Sequence, residues 1–225
     1  MLFNNKTQIF YSNLPLLGQK PSLQGVPEVA GVWRIHWQLG ETTLRSTFYT
    51  QFDQICLLWG ILSLIIFTTA QFSPISWTTQ AVWWTMVSLV GAIATHYLTP
   101  AWFRKEGFGW VIDLWVGLML LGTLISDLGI FAGWGLVLMN LCPLWLGISG
   151  IGYFQTAWGM RSRTLLLIAG LHFAAIAALP WVMDWQFLFT GLILGLSGVI
   201  LAEFQWDAFG GPCVNQFKAS SKTHP

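Results

Sequence analysis

His172, Tyr153, Asp113, His96 and Glu203 are the side chains best placed to bind a ligand or move a proton. Each is a polar or ionisable group within, or at the end of, a long apolar run. His172 stands in LLLIAGLHFAAIAAL, nine residues past Arg163, which is about 14 Å along a helix from that cation. An imidazole at that depth needs a hydrogen-bond partner. Tyr153, eight residues before Arg161 on the preceding apolar segment, falls at matching depth. Asp53, His96, Asp113 and Glu203 lie near segment ends close to Arg104, Lys105, Arg161 and Arg163, which favours interfacial pairing. A polar pocket of Asp113, His96 and Glu203 is the sharper alternative. Asp113 and Asp127 are fourteen residues apart, within about 40° of one helical face and about 21 Å along it. A proton path would use that arrangement with His172 between, although two helix-end carboxylates look the same and are the preferred reading.

The sequence Gly147-Ile148-Ser149-Gly150, with Tyr153 after it and Gly191 and Gly195 in the last apolar segment, supplies a serine in a glycine-rich turn of helix. In these features the chain resembles the rhomboid intramembrane proteases over about two helices. The resemblance implies six membrane helices with a serine nucleophile on the fourth. Leu188 stands where that family carries its base, and the second apolar segment lacks the family's His and Asn. A serine with no base in reach is not activated, so the implied relative is a catalytically inactive one.

Cofactor signatures are missing. Bis-histidine haem ligation needs two His at equal depth, whereas His172 lies about 10 Å deeper than His96. No apolar segment pairs His with a carboxylate at metal-ligating spacing. Cys56, Cys142 and Cys213 are scattered, with no CxxC. The expectation is no cofactor, no metal and no catalytic residue.

The elements that must position these residues are membrane helices. Of 225 residues only 8% are charged and 55% are hydrophobic, with 15 Trp and a net charge of +1; the mean hydropathy is +0.61. A soluble domain carries roughly 25% charged residues, and a nucleic-acid partner would call for a basic field. Six runs reach the length of about 20 apolar residues that spans a bilayer: about 53–72, 79–98, 110–128, 135–156, 164–181 and 186–206. Backbone groups in lipid must pair within the segment, so these runs read as helices. All ten Lys and Arg fall before the first run, after the second, after the fourth or after the sixth, and 73–78, 129–134 and 182–185 hold none. The positive-inside rule then puts both termini in the cytoplasm. Trp102, Trp110, Trp158 and Trp206 mark the inner boundary, and Trp77, Trp134, Trp181 and Trp185 the outer. The other Trp in the spans carry no assigned role.

Around this bundle, residues 1–51 form a cytoplasmic segment and 208–225 a disordered tail. Trp33, Ile35, Trp37 and Leu39 alternate with Arg34, His36 and Gln38, as in a strand. Pro27 and Gly40 also frame a helix, with Val29, Val32, Trp33 and Trp37 on one stripe, and an interfacial helix is the favoured reading. Small residues at Gly170, Ala174 and Ala178, and at Gly191, Gly195 and Gly198, suit close helix packing, and the two stripes are expected to face each other. The turns TPAWFRKEG and TAWGMRSR resemble each other, but no long internal repeat is evident.

The reading is an all-α, six-helix, N-in/C-in membrane bundle of a bacterial inner membrane or one derived from it. Its partners are the lipid bilayer and other membrane proteins, not nucleic acid. A non-enzymatic partner or assembly factor is expected, with a small proton-linked transporter using His172 and Asp113 as the alternative.

Overall fold

The computed structural model of the chain describes residues 15–20, 31–39, 42–99, 104 and 107–207. The chain is mostly helical. Its long helices are α1 (Gln51–Phe72), α2 (Trp77–Leu98), α3 (Gly109–Phe131), α5 (Leu141–Met160), α6 (Arg163–Ala178) and α7 (Gln186–Glu203), with a five-residue α4 (Gly135–Met139) before α5. Among the described residues, four helical stretches are long and apolar enough to cross a membrane: α1, α2, α3 and the run Arg163–Glu203. That last run is interrupted by a 3-10 turn, Leu179–Trp185, where Val182 leaves helical geometry and separates α6 from α7. Half of α5 is buried, including Ser149 and Thr156. The apolar stretch expected over 135–156 breaks at Asn140, whose side-chain amide donates to the Leu136 carbonyl.

The closest helix pair joins the first to the last. A Cβ on Gly198 would stand 2.6 Å from the Cys56 carbonyl oxygen, and one on Gly60 would stand 3.0 Å from the Gly195 carbonyl oxygen. Gly191 packs on Phe67 and Gly195 on Leu64. The glycines of α7 therefore face α1, not α6. Gly60 supplies what Gly170 was expected to: a backbone bare enough for two helix axes to close. Gly170 itself has open space where a Cβ would be.

Within the adjacent antiparallel pairs, indole N–H groups reach hydroxyls on the facing helix. Trp59 of α1 donates to Thr95 of α2 (2.9 Å), and Trp84 of α2 donates back to Thr69 of α1 (3.0 Å). Trp115 of α3 donates to Thr156 of α5, and Trp145 of α5 donates back to Ser126 of α3, both at 3.1 Å. Thr95 and Thr156 each pass their own proton to the carbonyl four residues earlier, at Gly91 and Gly152. Those glycines, with Gly122 ahead of Ser126, leave the space the ring occupies. These Trp are thus structural donors between helices, a role not assigned to them from sequence. The α1–α2 and α3–α5 hairpins carry the same reciprocal clasp, with Trp84–Thr95 and Trp145–Thr156 both eleven residues apart. The likeness of the two hairpins extends beyond the turns that follow them.

Residues 33–39 are a strand rather than the interfacial helix. β2 (Trp33–Leu39) pairs antiparallel with β3 (Thr42–Tyr49), with one extra residue in β3 where the register shifts after Trp37. Strict alternation of aromatic and aliphatic with polar side chains suits a pleated ribbon, and β3, rich in Thr, supplies the backbone partners. The start of the expected helix, Trp102 and the tail from 208 lie outside the described residues. A second, two-residue pairing joins β1 (Leu17–Gly18) to β4 (Gln205–Trp206). Trp206, expected at the lipid boundary, is buried against Phe52 beneath it.

Gly198→Val should therefore split the α1–α7 seam. We expect a loss of about 1–3 kcal/mol from overpacking, read as a lower midpoint of thermal unfolding in detergent. Gly170→Ala, in open space, should leave that midpoint unchanged or raise it.

Candidate functional site

Two regions gather the polar chemistry of the molecule. The first is an end of the bundle built by helix termini. Thr50 caps α1: its hydroxyl accepts from the Asp53 N–H while Asp53 Oδ2 accepts from the Thr50 N–H. Lys20 approaches Asp53 to 2.7 Å, donates to the Phe48 carbonyl and lies over the Tyr49 ring. Gln54 donates to the carbonyls of Gly31 and Tyr49, fixing the base of the hairpin to α1. Gly31 has φ +84°, and a Cβ there would strike the Gln51 side chain, so the turn requires glycine.

Glu203, at the end of α7, accepts from Arg45 and from the Tyr49 hydroxyl, both at 2.6 Å. The Tyr49 phenol is pushed up to about 12, first by burial and then by its bond to the carboxylate. The Arg45 guanidinium is raised further by the same carboxylate. Asp207 is buried against the start of α6. It accepts from the Ser162 hydroxyl, the Thr164 hydroxyl, the backbone N–H groups of Arg163 and Thr164, and the Arg163 guanidinium at 2.8 Å. Burial opposes its charge, but these donors prevail and hold the carboxyl below the ordinary range. Backbone N–H groups at a helix start are unpaired and electropositive, so a carboxylate fits there. Asp207 lies past the last apolar run and carries no motif. Its position just after a helix end, facing Ser162-Arg163-Thr164, was its only signal.

The second region is a cavity of about 130 Å³ within the bundle. Its walls come chiefly from α1, α2, α3, α5 and α7. Trp59, Trp115 and Trp145 line it, so three of the four indole clasps border the same space. Ser149, Tyr153 and Thr156 open onto it from α5. Among the described residues, no Asp, Glu, His, Lys or Arg lines it. The hydroxyls of Ser149 and Tyr153 make no hydrogen bond among the described residues.

The residues singled out from sequence are distributed as follows. His172 is fully buried, and its ring lies 5.1 Å from that of Tyr153. Its hydrogen bond goes from Nδ1 to the Ile168 carbonyl one turn back, at 2.8 Å. Nδ1 must then carry the proton, and Nε2 has no partner among the described residues. Tyr153 contributes a ring contact rather than a hydrogen bond, and its ring also meets that of Trp115 edge-on at 4.9 Å. Glu203 is engaged by Arg45 and Tyr49, whereas Asp113 and His96 are exposed. Asp127 accepts from Thr85 of α2 at 2.7 Å. Neither His172 nor Asp113 lines the main cavity. Ser149 of the glycine-rich turn is a wall residue of that cavity. Among the described residues no three His, Cys, Asp or Glu side chains converge on a metal-sized site.

No family model, curated protein or solved structure matches the chain.

Asp207→Asn should cost roughly 1–3 kcal/mol at neutral pH, because an amide cannot accept from every donor around it. A carboxyl titrates near 3.9 when unfolded, and that of Asp207 titrates lower when folded. Its stabilisation is therefore complete above about pH 4 and is lost as pH falls through the folded value. Thermal unfolding between pH 7 and pH 3 should show a smaller drop in the Asn variant than in the parent chain.

Proposed function

We propose that this protein crosses a bacterial inner membrane, or a membrane derived from one, six times with both termini in the cytoplasm. We further propose that it acts as a non-enzymatic partner or assembly factor of another integral membrane protein. Helical structure over all six apolar segments supports the span count. The sorting of Lys and Arg to one set of connections supports the orientation. Lys20, Arg45 and Arg163, bound to Asp53, Glu203 and Asp207 at one end of the bundle, agree with that sorting.

The observation that carries the partner role is the hairpin. It is rigidly based, with Phe48 and Tyr49 buried and Gln54 holding its foot. Yet Trp33, Trp37 and Leu39 are 57%, 66% and 73% exposed. The pairing register sets Trp33 opposite Tyr49 and Trp37 opposite Arg45. The aromatic row therefore shares the sheet face whose Arg45 and Tyr49 reach Glu203, at the level of the helix ends. A large exposed apolar row on a fixed support marks an interaction surface, and at that level it meets the apolar flank of a neighbouring membrane protein.

Two experiments test this reading. With Asp184→Cys, Phe131→Cys and Arg104→Cys, an impermeant thiol reagent on intact cells should label positions 184 and 131 and spare 104; the reverse pattern refutes the threading. In mild detergent the chain should co-purify with a larger membrane complex, and Trp37→Ala should reduce the recovered partner about tenfold, as expected of a central aromatic anchor. Isolation of the parent chain as a lone species would leave the aromatic row to lipid and defeat the partner role.

A further inference from the structure

The main cavity does not follow from the partner role, and its construction indicates an occupant. It lies between two helical hairpins that carry the same Trp-to-hydroxyl clasps. Indoles from both hairpins, Trp59 from the first and Trp115 and Trp145 from the second, form its walls. Membrane proteins built from two like halves commonly bind their small molecules at the seam between the halves. With its indole N–H groups already given to Thr95, Thr156 and Ser126, the wall offers flat apolar ring surface rather than hungry donors. Ser149 and Tyr153, one turn apart on α5, line that same space, and their hydroxyls have no hydrogen-bond partner among the described residues.

The size and chemistry limit the ligand. A cavity of about 130 Å³ is close to the ~150 Å³ apolar cavity that holds a benzene ring. It admits a slim chain or a single ring. With no charged side chain among the described residues of its wall, it would leave an ionic headgroup without a counter-charge, at high cost. The Tyr153 and Ser149 hydroxyls can both donate and accept, so one neutral polar group is accommodated.

We infer that the cavity between the α1–α2 and α3–α5 hairpins is a binding site for a slim, uncharged apolar molecule with a single hydrogen-bonding end group, held at that end by Tyr153 and Ser149. The bulk of the ligand packs against Trp59, Trp115 and Trp145. The inference rests on the protein being embedded in a membrane and is independent of any partner.

The test uses the full-length protein in mild detergent micelles and a short primary alcohol of about six carbons, matched to the cavity's benzene-like size, carrying a photoreactive diazirine in its chain. After irradiation, peptide mapping should place a saturable fraction of the label on cavity residues such as Cys56, Tyr153 and Trp115. Unlabelled alcohol should compete that fraction away, while label on the exposed face of α2 should not saturate. Ser149→Phe, which fills the cavity, should abolish the saturable fraction and spare the α2 label. Should Ser149→Phe fail to fold, as judged by size-exclusion elution and circular dichroism, Ser88→Leu fills the same space from α2 and should act alike. Tyr153→Phe should weaken competition by the alcohol about threefold to tenfold, the worth of one neutral hydrogen bond, and leave competition by the matching alkane unchanged. Label found only on outward-facing residues, or a saturable fraction unaffected by a folded cavity-filling variant, would overturn the site. A topology experiment that failed while this labelling succeeded would remove the threading and keep the cavity.

Discussion

The structure depends on how closely α1 and α7 approach. Where Gly60 meets Gly195 and Gly198, the two backbones come near enough that a single methyl group would collide with a carbonyl oxygen. Lipid tails provide no hydrophobic drive for helices to associate, so close van der Waals contact must supply it. With the first and last helices joined, the remaining ones enclose a common interior. The segment before α1 is also brought to the residues after α7. The β1–β4 pairing, the Arg45–Glu203 contact and the burial of Trp206 all require that closure.

Inside the bundle, polar groups are handled locally. Each of the four clasping indoles donates to a hydroxyl on the next helix, and in two cases the hydroxyl donates in turn to its own helix four residues back. The chain thereby seats large rings deep in the bundle with their N–H groups paired. For Thr95, Ser126 and Thr156, a glycine at the turn before the hydroxyl makes room for the ring. Among the described residues, the charged side chains of the long helices lie toward helix ends, and two carboxylates serve backbone termini: Asp53 within the cap of α1 and Asp207 at the start of α6. The interior is left neutral and aromatic, and the cavity has the character of its walls.

Much of this plan is legible in the residues. Runs such as LLWGILSLII declare helices by length and apolarity alone, and the six long helices occupy those runs. Other features resisted for physical reasons. VWRIHWQLG carries both a two-residue and a helical pattern, and only the neighbouring TTLRSTFY, as a pairing partner, decides between them. The glycines of α7 announce a close contact but not with which helix, because a small-residue stripe has no address. Trp59 and Trp115 resemble lipid-facing aromatics until the Gly-x-x-x-Thr on the facing helix is noticed; that pattern was present in GAIAT and GYFQT and marks where an indole is received. His172 and Tyr153 could be matched in depth from helix rise, whereas the choice of the Ile168 carbonyl over the phenol depended on side-chain rotation. Asp207 belongs to no motif, and its role exists only once β4 has turned the chain back over α6.

The partnership of Gly60 with Gly198 also has a bearing on biogenesis. At the usual pace of translation, on the order of ten seconds separates the emergence of these two residues from the ribosome. Throughout that interval Gly60, the one glycine of the first helix, stands without its mate. A nascent chain interrupted before the last helix leaves the Gly60, Leu64 and Phe67 face of α1 uncovered, open to quality-control proteases or to a mistaken neighbour. Completion of the final helix is thus the step that converts a string of inserted segments into a closed protein.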